Sequence, residues 1–347
     1  MNNKITLTPY FDDFIRYYEM AKKLQINCNL GGQQFVGQVG DDLMEQVHIY
    51  DTVERQHAGF QNMLQDLWYA AQAPKYYKWD AAHQKRNSSY GLQHAKWDRV
   101  EWLFVFLLHR ITGSGASFEA DHGYRNTILP QIAELENIDE MVILIKHYEK
   151  AMFTSIGNQI PMFPKPRGTY SKGGKLFMCE YMPQLARDTW RFISEINMYR
   201  KVTIREIVDF MCEWNRTRGM KRFHFQYTAT AADLADYYPE FVEADSHMYY
   251  GKNAKESMDM MATKNGRYKK DLFYDYVMEE AQLQTKGYPR DLEDVMCDYI
   301  RYVENYIPDS KQKTYGHLDR TKIWNSSLIM NHPKGRQKWK LGTKHLV

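Results

Sequence analysis

The chain has no closely spaced cysteines: its four, Cys28, Cys179, Cys212 and Cys297, are scattered over 347 residues. That spacing gives neither a zinc motif nor a disulfide framework, and it points to a reducing cytosol. Long hydrophobic runs are missing too. The longest, WLFVFLL at residues 102–108, falls well short of the roughly 20 residues that a membrane span needs. The N-terminal MNNKITLTPYFDDF carries early charges where a signal peptide would carry an apolar core. Strand-like alternation is scarce, and KLFMCEYM is the one stretch where a short hairpin arm is expected. There is no internal repeat and no low-complexity tract. TGSGAS follows a helical pattern rather than a strand, and no lysine closes it, which argues against a Walker A route to nucleoside triphosphates.

What is present is apolar periodicity at helical spacing. Helices are expected over residues 41–73, 91–110, 131–151, 180–198, 203–216, 229–237, 252–263, 268–283 and 291–306, so the fold class is all-α. The hydrophobic fraction of 44% is ample for a core, and the length suits one large domain with appendages or two packed domains. Aromatics reach 14%, with 26 Tyr and 8 Trp; such rings stack on flat ligands or build an aromatic core. The net charge of +3 is unevenly placed: from Asp309 onward there are nine Lys or Arg against two Asp. A basic tail on a near-neutral body suits contact with a polyanion. A solvated tail explains the charges equally.

Four segments carry side chains suited to chemistry. RITGSGASFEADHGYRN ends an apolar helix and then brings Asp121, His122, Tyr124, Arg125 and Asn126 close together. An Asp–His pair tunes an imidazole for proton transfer, and Arg and Asn offer donors to phosphate or a base edge. A helix C-cap at Gly113 or Gly115 is the bland alternative. The stretch 156–175 holds three prolines and four glycines, so it reads as a long loop; its cations are Lys165, Arg167, Lys172 and Lys175, without an acid. In KRFHFQYTATAADLADYYPEFVEADSHMYYGKNA, Thr228 or Thr230 is expected to cap a helix, with Asp233 early in it and Asp236 on the same face. Gly251 in YYGKNA would let the backbone approach a ligand. In PRDLEDVMCDYIRYVENYI, Asp291 is the expected N-cap, and Asp298 and Arg301 lie off the core stripe, where a structural ion pair between them is the simpler account.

Taken in order, these segments resemble bacteriophage enzymes that hypermodify thymine. DLEDVMCDYIRY is similar to the "D-x-E-x-x-L-C-E-F-D-K-Y" helix shared by the helical domain of 5-hydroxymethyluracil DNA kinases and the α-glutamyl/putrescinyl thymine pyrophosphorylases, or amino acid:DNA transferases. ADLADYYPEF followed by YYGKNAKES resembles that family's "DL" helix and glycine turn, and LLHRITGSG fits its earlier apolar helix and Arg. The order covers roughly residues 95–305. Arg301 stands where the family often has Lys, Asp298 where it has Glu, and GKNA replaces a Gly-Pro-Gly type of turn. The missing P-loop favours the transferase branch over the kinase.

The resemblance implies a fold related to helix-hairpin-helix DNA glycosylases, with an N-terminal helical region at 1–90, a catalytic helical domain at 91–307 and a basic tail at 308–347. It implies that an amino acid or polyamine amine displaces pyrophosphate from the 5-methylene of pyrophosphorylated 5-hydroxymethyluracil in double-stranded DNA, in the cytoplasm of an infected cell. Removal of the ammonium proton falls to Asp121, His122 or Asp233. Pyrophosphate and DNA contacts fall to Arg110, Ser114, Arg125, Asn126, Lys165, Arg167, Lys172, Lys175 and Lys252, with Arg216, Arg218, Lys221 and Arg222 as further phosphate contacts. The base or amine pocket is assigned Tyr124, His224, Tyr227, Asp236, Asp298 and Arg301. No cofactor is certain; a divalent metal could assist departure, though the sequence shows no firm metal site. Two alternatives remain: a glycosylase using Asp233 on the N-glycosidic bond, and a non-catalytic DNA-binding protein.

Overall fold

The computed structural model of the chain describes residues 4–28, 97–111, 135–147, 176–266 and 269–303, together with positions 41, 44, 53, 64 and 68. The described elements are helical apart from one pair of short strands. They fall into two compact units, one drawn from Met1–Gly59 with Tyr250–Val347, the other from Phe60–Tyr249. No helix among the described residues is long and apolar enough to cross a membrane.

The central unit is built on α2 (Arg99–Ile111), whose residues from Trp102 to Ile111 are all buried. A helix apolar on every side must be surrounded. Here α4 (Met182–Asn197) and α6 (His224–Tyr237) flank it, and α5 (Ile204–Thr217) packs on both α4 and α6, closing a ring of four helices. A shorter helix, α3 (Ile138–His147), packs near the turn that precedes α4. Asp98 caps α2: its carboxylate accepts from the amides of Val100 at 2.8 Å and Glu101 at 3.3 Å, while Glu101 accepts from the Asp98 amide at 3.2 Å. A Thr203–Glu206 capping box starts α5 in the same way. Aromatic side chains fill one end of this core. The Trp97 and Trp102 rings lie 4.8 Å apart, Trp68 sits 5.0 Å from both Trp102 and Tyr237, and Phe106 stacks on Tyr237 at 5.1 Å. Much of the aromatic content thus goes into packing.

The second unit packs α1 (Pro9–Cys28), α7 (Lys252–Met261), α8 (Lys270–Thr285) and α9 (Pro289–Val303) against one another. Strand β1 (Lys4–Leu7) pairs antiparallel with β2 (Ala262–Asn265), Lys4 opposite Asn265. A two-stranded ribbon is marginal alone; this one continues into the Thr8 amide, which donates to Met261 O at 2.8 Å. The core contains two buried carboxylate–phenol hydrogen bonds, Tyr299 to Asp13 and Tyr302 to Asp41, each 2.6 Å. Burial, reinforced by those carboxylates, raises both phenols well above their ordinary range.

The all-α expectation holds, and several local expectations do not. KLFMCEYM forms no hairpin: Phe177–Tyr181 is a π turn leading into α4. Pro183 in the first turn of α4 has no N–H for Cys179 O and crowds that carbonyl, which a wider turn relieves. α6 begins at His224, so Thr228 and Thr230 are interior rather than capping, and Asp233 lies more than two turns in. α9 begins at Pro289, which places Asp291 inside the first turn rather than at the N-cap. α1 is a further helix beyond those expected from the periodicity, with Phe11, Phe14, Tyr17, Tyr18, Ala21 and Leu24 on its buried face. Most of the helix expected at 41–73 lies outside the described residues.

The α2 cap yields a pH signature. Burial, then the neighbouring Asp98, pushes the Glu101 carboxyl up to about 7, whereas Asp98 is lowered through its hydrogen bond with Glu101. The two directions are consistent with one proton held on Glu101. A raised carboxyl keeps a proton that the unfolded chain releases, so its contribution is greatest below the unfolded value of 4.5 and declines as pH rises towards about 7. Urea melts across that window are expected to show the decline in the wild-type chain and to lose it in Glu101→Gln, which keeps the cap.

Candidate functional site

Arg110 closes a helix whose last ten residues are buried, and an arginine carried into an interior requires an anion. It finds one on α6. Arg110 Nε donates to Asp233 Oδ2 and Nη2 to Asp233 Oδ1, each at 2.6 Å. The side chains are 4% and 0% exposed. Such a fork is the strongest form of side-chain hydrogen bond, and both carboxylate oxygens are engaged. Ala229, Ala231, Ala232 and Ala235 surround Asp233 in sequence, all buried; side chains this small let α6 approach α2 closely. Phe106 against Tyr237 and Arg110 against Asp233 show that the two helices run antiparallel.

The polar face of α6 extends beyond Asp233. Gln226, Thr230 and Asp233 follow at helical spacing on one side of the helix, and they are 7%, 0% and 0% exposed. Gln226 Oε1 and Thr230 Oγ1 are buried without a hydrogen-bond partner among the described residues. Interior polar atoms of this kind are rare and mark places where a water or ligand is accommodated. His109 is also fully buried beside Arg110.

Other expected site residues are distributed as follows. His224 begins α6, half-buried, its ring 4.4 Å from that of Tyr249. Tyr227 is fully buried and donates to Asn215 Oδ1 at 2.9 Å; burial raises its phenol well above the usual range. A ring enclosed in this way supports the α5–α6 junction and does not face a substrate. Asp236 is half-buried one turn past Asp233. These residues and the Arg110–Asp233 pair share the central unit. Lys252, Asp298 and Arg301 belong to the other unit. Lys252 is exposed at the start of α7, 3.8 Å from Glu256, and Asp298 is buried on α9 at 8% exposure. Asp121, His122, Ser114, Tyr124, Arg125, Asn126, Lys165, Arg167, Lys172 and Lys175 lie outside the described residues.

Gly251 is the N-cap of α7 with an extended backbone, φ −68° and ψ 171°. Its amide donates to Glu293 Oε1 at 2.8 Å. Ser257 Oγ donates to Met296 O at 2.5 Å, and Asn253 Nδ2 to Cys297 Sγ at 3.5 Å. YYGKNAKES and DLEDVMCDYIRY therefore pack directly on each other. Glu293, 4% exposed, was missed from sequence because an acid inside an amphipathic helix reads as solvated. The partner of Arg110 was within reach: a lone cation in an apolar run must be matched, and α6 offers an acid in an alanine-rich stretch. Among the described residues no group of three or more His, Cys, Asp or Glu is placed to hold a metal ion. Cys179 and Cys212 are buried and form no disulfide among the described residues, and burial pushes the Cys212 thiol up to about 12.

These features define a helical protein with a buried, charge-paired seam in one unit and a glycine-capped helix pair in the other. Comparison with protein-family models, curated proteins and solved structures gave no match.

Removing either partner of the Arg110–Asp233 pair strands a buried charge. Arg110→Ala and Asp233→Ala are each expected to destabilise by about 3–5 kcal/mol. The paired change Arg110→Met with Asp233→Leu should recover most of that loss, as read by chemical denaturation followed by circular dichroism.

Proposed function

We propose that the protein is an amine:DNA transferase that joins an amino acid or polyamine nitrogen to the 5-methylene of pyrophosphorylated 5-hydroxymethyluracil in DNA, releasing pyrophosphate. One observation supports this reading above the others: the four segments that carry the resemblance pair through their own polar groups. LLHRITGSG meets ADLADYYPEF through Arg110 and Asp233, and YYGKNAKES meets DLEDVMCDYIRY through Gly251 and Glu293. The helical character of both units is in keeping with a glycosylase-like helical fold on this reading.

In the reaction, the amine lone pair forms the C–N bond while the C–O bond to pyrophosphate breaks, its electrons leaving on the pyrophosphate oxygen. The incoming ammonium must first lose a proton. Both oxygens of Asp233 already accept from Arg110, so the proton falls to His122 or Asp121, and Asp233 with Arg110 serves to hold α2 and α6 in place. Lys165, Arg167, Lys172 and Lys175 carry the charge suited to the departing pyrophosphate. The same pairing weakens the glycosylase alternative, which needs an accessible carboxylate at Asp233.

The test is a reaction of the full chain with DNA carrying pyrophosphorylated 5-hydroxymethyluracil, a pool of amino acids and polyamines, and magnesium, read by nucleoside mass spectrometry. An amine-adducted thymidine is expected, and His122→Ala should cut its formation by about 10²–10⁴-fold. Unchanged nucleosides would remove the transferase reading, and abasic sites would replace it with the glycosylase.

A further inference from the structure

The turn between α5 and α6 concentrates positive charge on a rigid support. RTRGMKR, residues 216–222, has four Lys or Arg and no acid. Buried Asn215 fixes this turn from within: its Nδ2 donates to Lys221 O at 3.0 Å, its Oδ1 accepts from Tyr227, and its carbonyl accepts from Met220 N at 3.0 Å. Gly219 takes φ 69°, a left-handed value that side chains disfavour. The cations differ in availability. Arg216 is forked onto Glu213, and Arg218 lies over Trp214 with its guanidinium 3.5 Å from the ring centroid. Lys221 and Arg222 are exposed and make no ion pair among the described residues. Next to them Phe225 is 63% exposed in the first turn of α6, a helix start with no side-chain cap and no acid. An exposed cation pair, of which Arg222 also acts electrostatically on Glu213, beside an exposed aromatic ring is a combination that holds a nucleic-acid strand, by phosphate contact and by stacking of an unpaired base.

We propose that the α5–α6 turn docks a DNA strand with at least one unstacked base: Lys221 and Arg222 contact consecutive phosphates and the base stacks on Phe225. The choice of DNA over RNA rests on the transferase reading; the surface itself does not.

The experiment titrates the full chain into a labelled single-stranded oligodeoxynucleotide of ordinary bases over a series of salt concentrations, followed by fluorescence anisotropy. All the substituted side chains are exposed, and far-UV circular dichroism confirms that each variant folds. Lys221→Gln and Arg222→Gln should each lower the slope of log affinity against log salt by about 0.7, the single-strand value for one phosphate contact. Arg216→Gln should leave the slope unchanged because Glu213 already holds that guanidinium. Phe225→Ala should weaken binding about tenfold at every salt concentration without altering the slope. Unaltered slopes in both Lys221→Gln and Arg222→Gln, an unaltered affinity in Phe225→Ala, or tighter binding of the RNA of the same sequence would each overturn the proposal. Because the oligonucleotide carries no hydroxymethyluracil, this outcome is independent of whether amine transfer is observed.

Discussion

The central unit turns on one interaction, the fork between Arg110 and Asp233. α2 is apolar on every face, so packing alone would allow it to settle at more than one rotation between α4 and α6. A guanidinium at its last turn removes that freedom, because a buried charge tolerates only the arrangement that neutralises it. Asp233 is set among alanines, so the carboxylate is reached by bringing the backbones together. Once α6 is held at Asp233, its other contacts follow: Tyr237 stacks on Phe106 towards one end, and Tyr227 reaches Asn215 towards the other. The exposed turn at 216–222 inherits its rigidity from that second contact.

The other unit solves a similar problem with neutral donors. Two phenols, Tyr299 and Tyr302 on α9, donate to Asp13 and Asp41 from elsewhere in the fold. Tyr17 joins them, its ring 5.0 Å from that of Tyr302. Hydrogen bonds to these buried carboxyl groups fix the geometry of an otherwise adaptable aromatic cluster. α7 is then held to α9 through the segments that carry the resemblance, with Glu293 accepting from the Gly251 amide at the helix start. The glycine there has an extended backbone, not a left-handed one.

The charged residues consequently serve two different ends. Arg110, Asp233 and Glu293 are enclosed and spend their hydrogen bonds on architecture. Lys221 and Arg222 stand in solvent on a turn braced by Asn215, where the proposed strand would meet them. A transferase of the proposed kind needs both: rigid helices around the reacting carbon, and outward cations to hold the polyanion that carries it.

Most helix positions in the described residues, α1 apart, and the burial of WLFVFLL were legible in the order of residues, because periodicity and desolvation are local properties. The capping box that starts α5 was equally local. What lay beyond the sequence was set by contacts between distant segments. Asp233, read as an early-helix acid, became the interior partner of a residue on another helix. Thr228 and Thr230 lost their capping role because α6 starts at His224, where Phe223 packs against Phe177 at 4.9 Å. KLFMCEYM became a π turn once Pro183 was drawn into a buried helix start. Lys4 paired with Asn265 only because α1 and α7 pack together. Residue types determined which groups required partners; the packing of helices alone decided which partners they found.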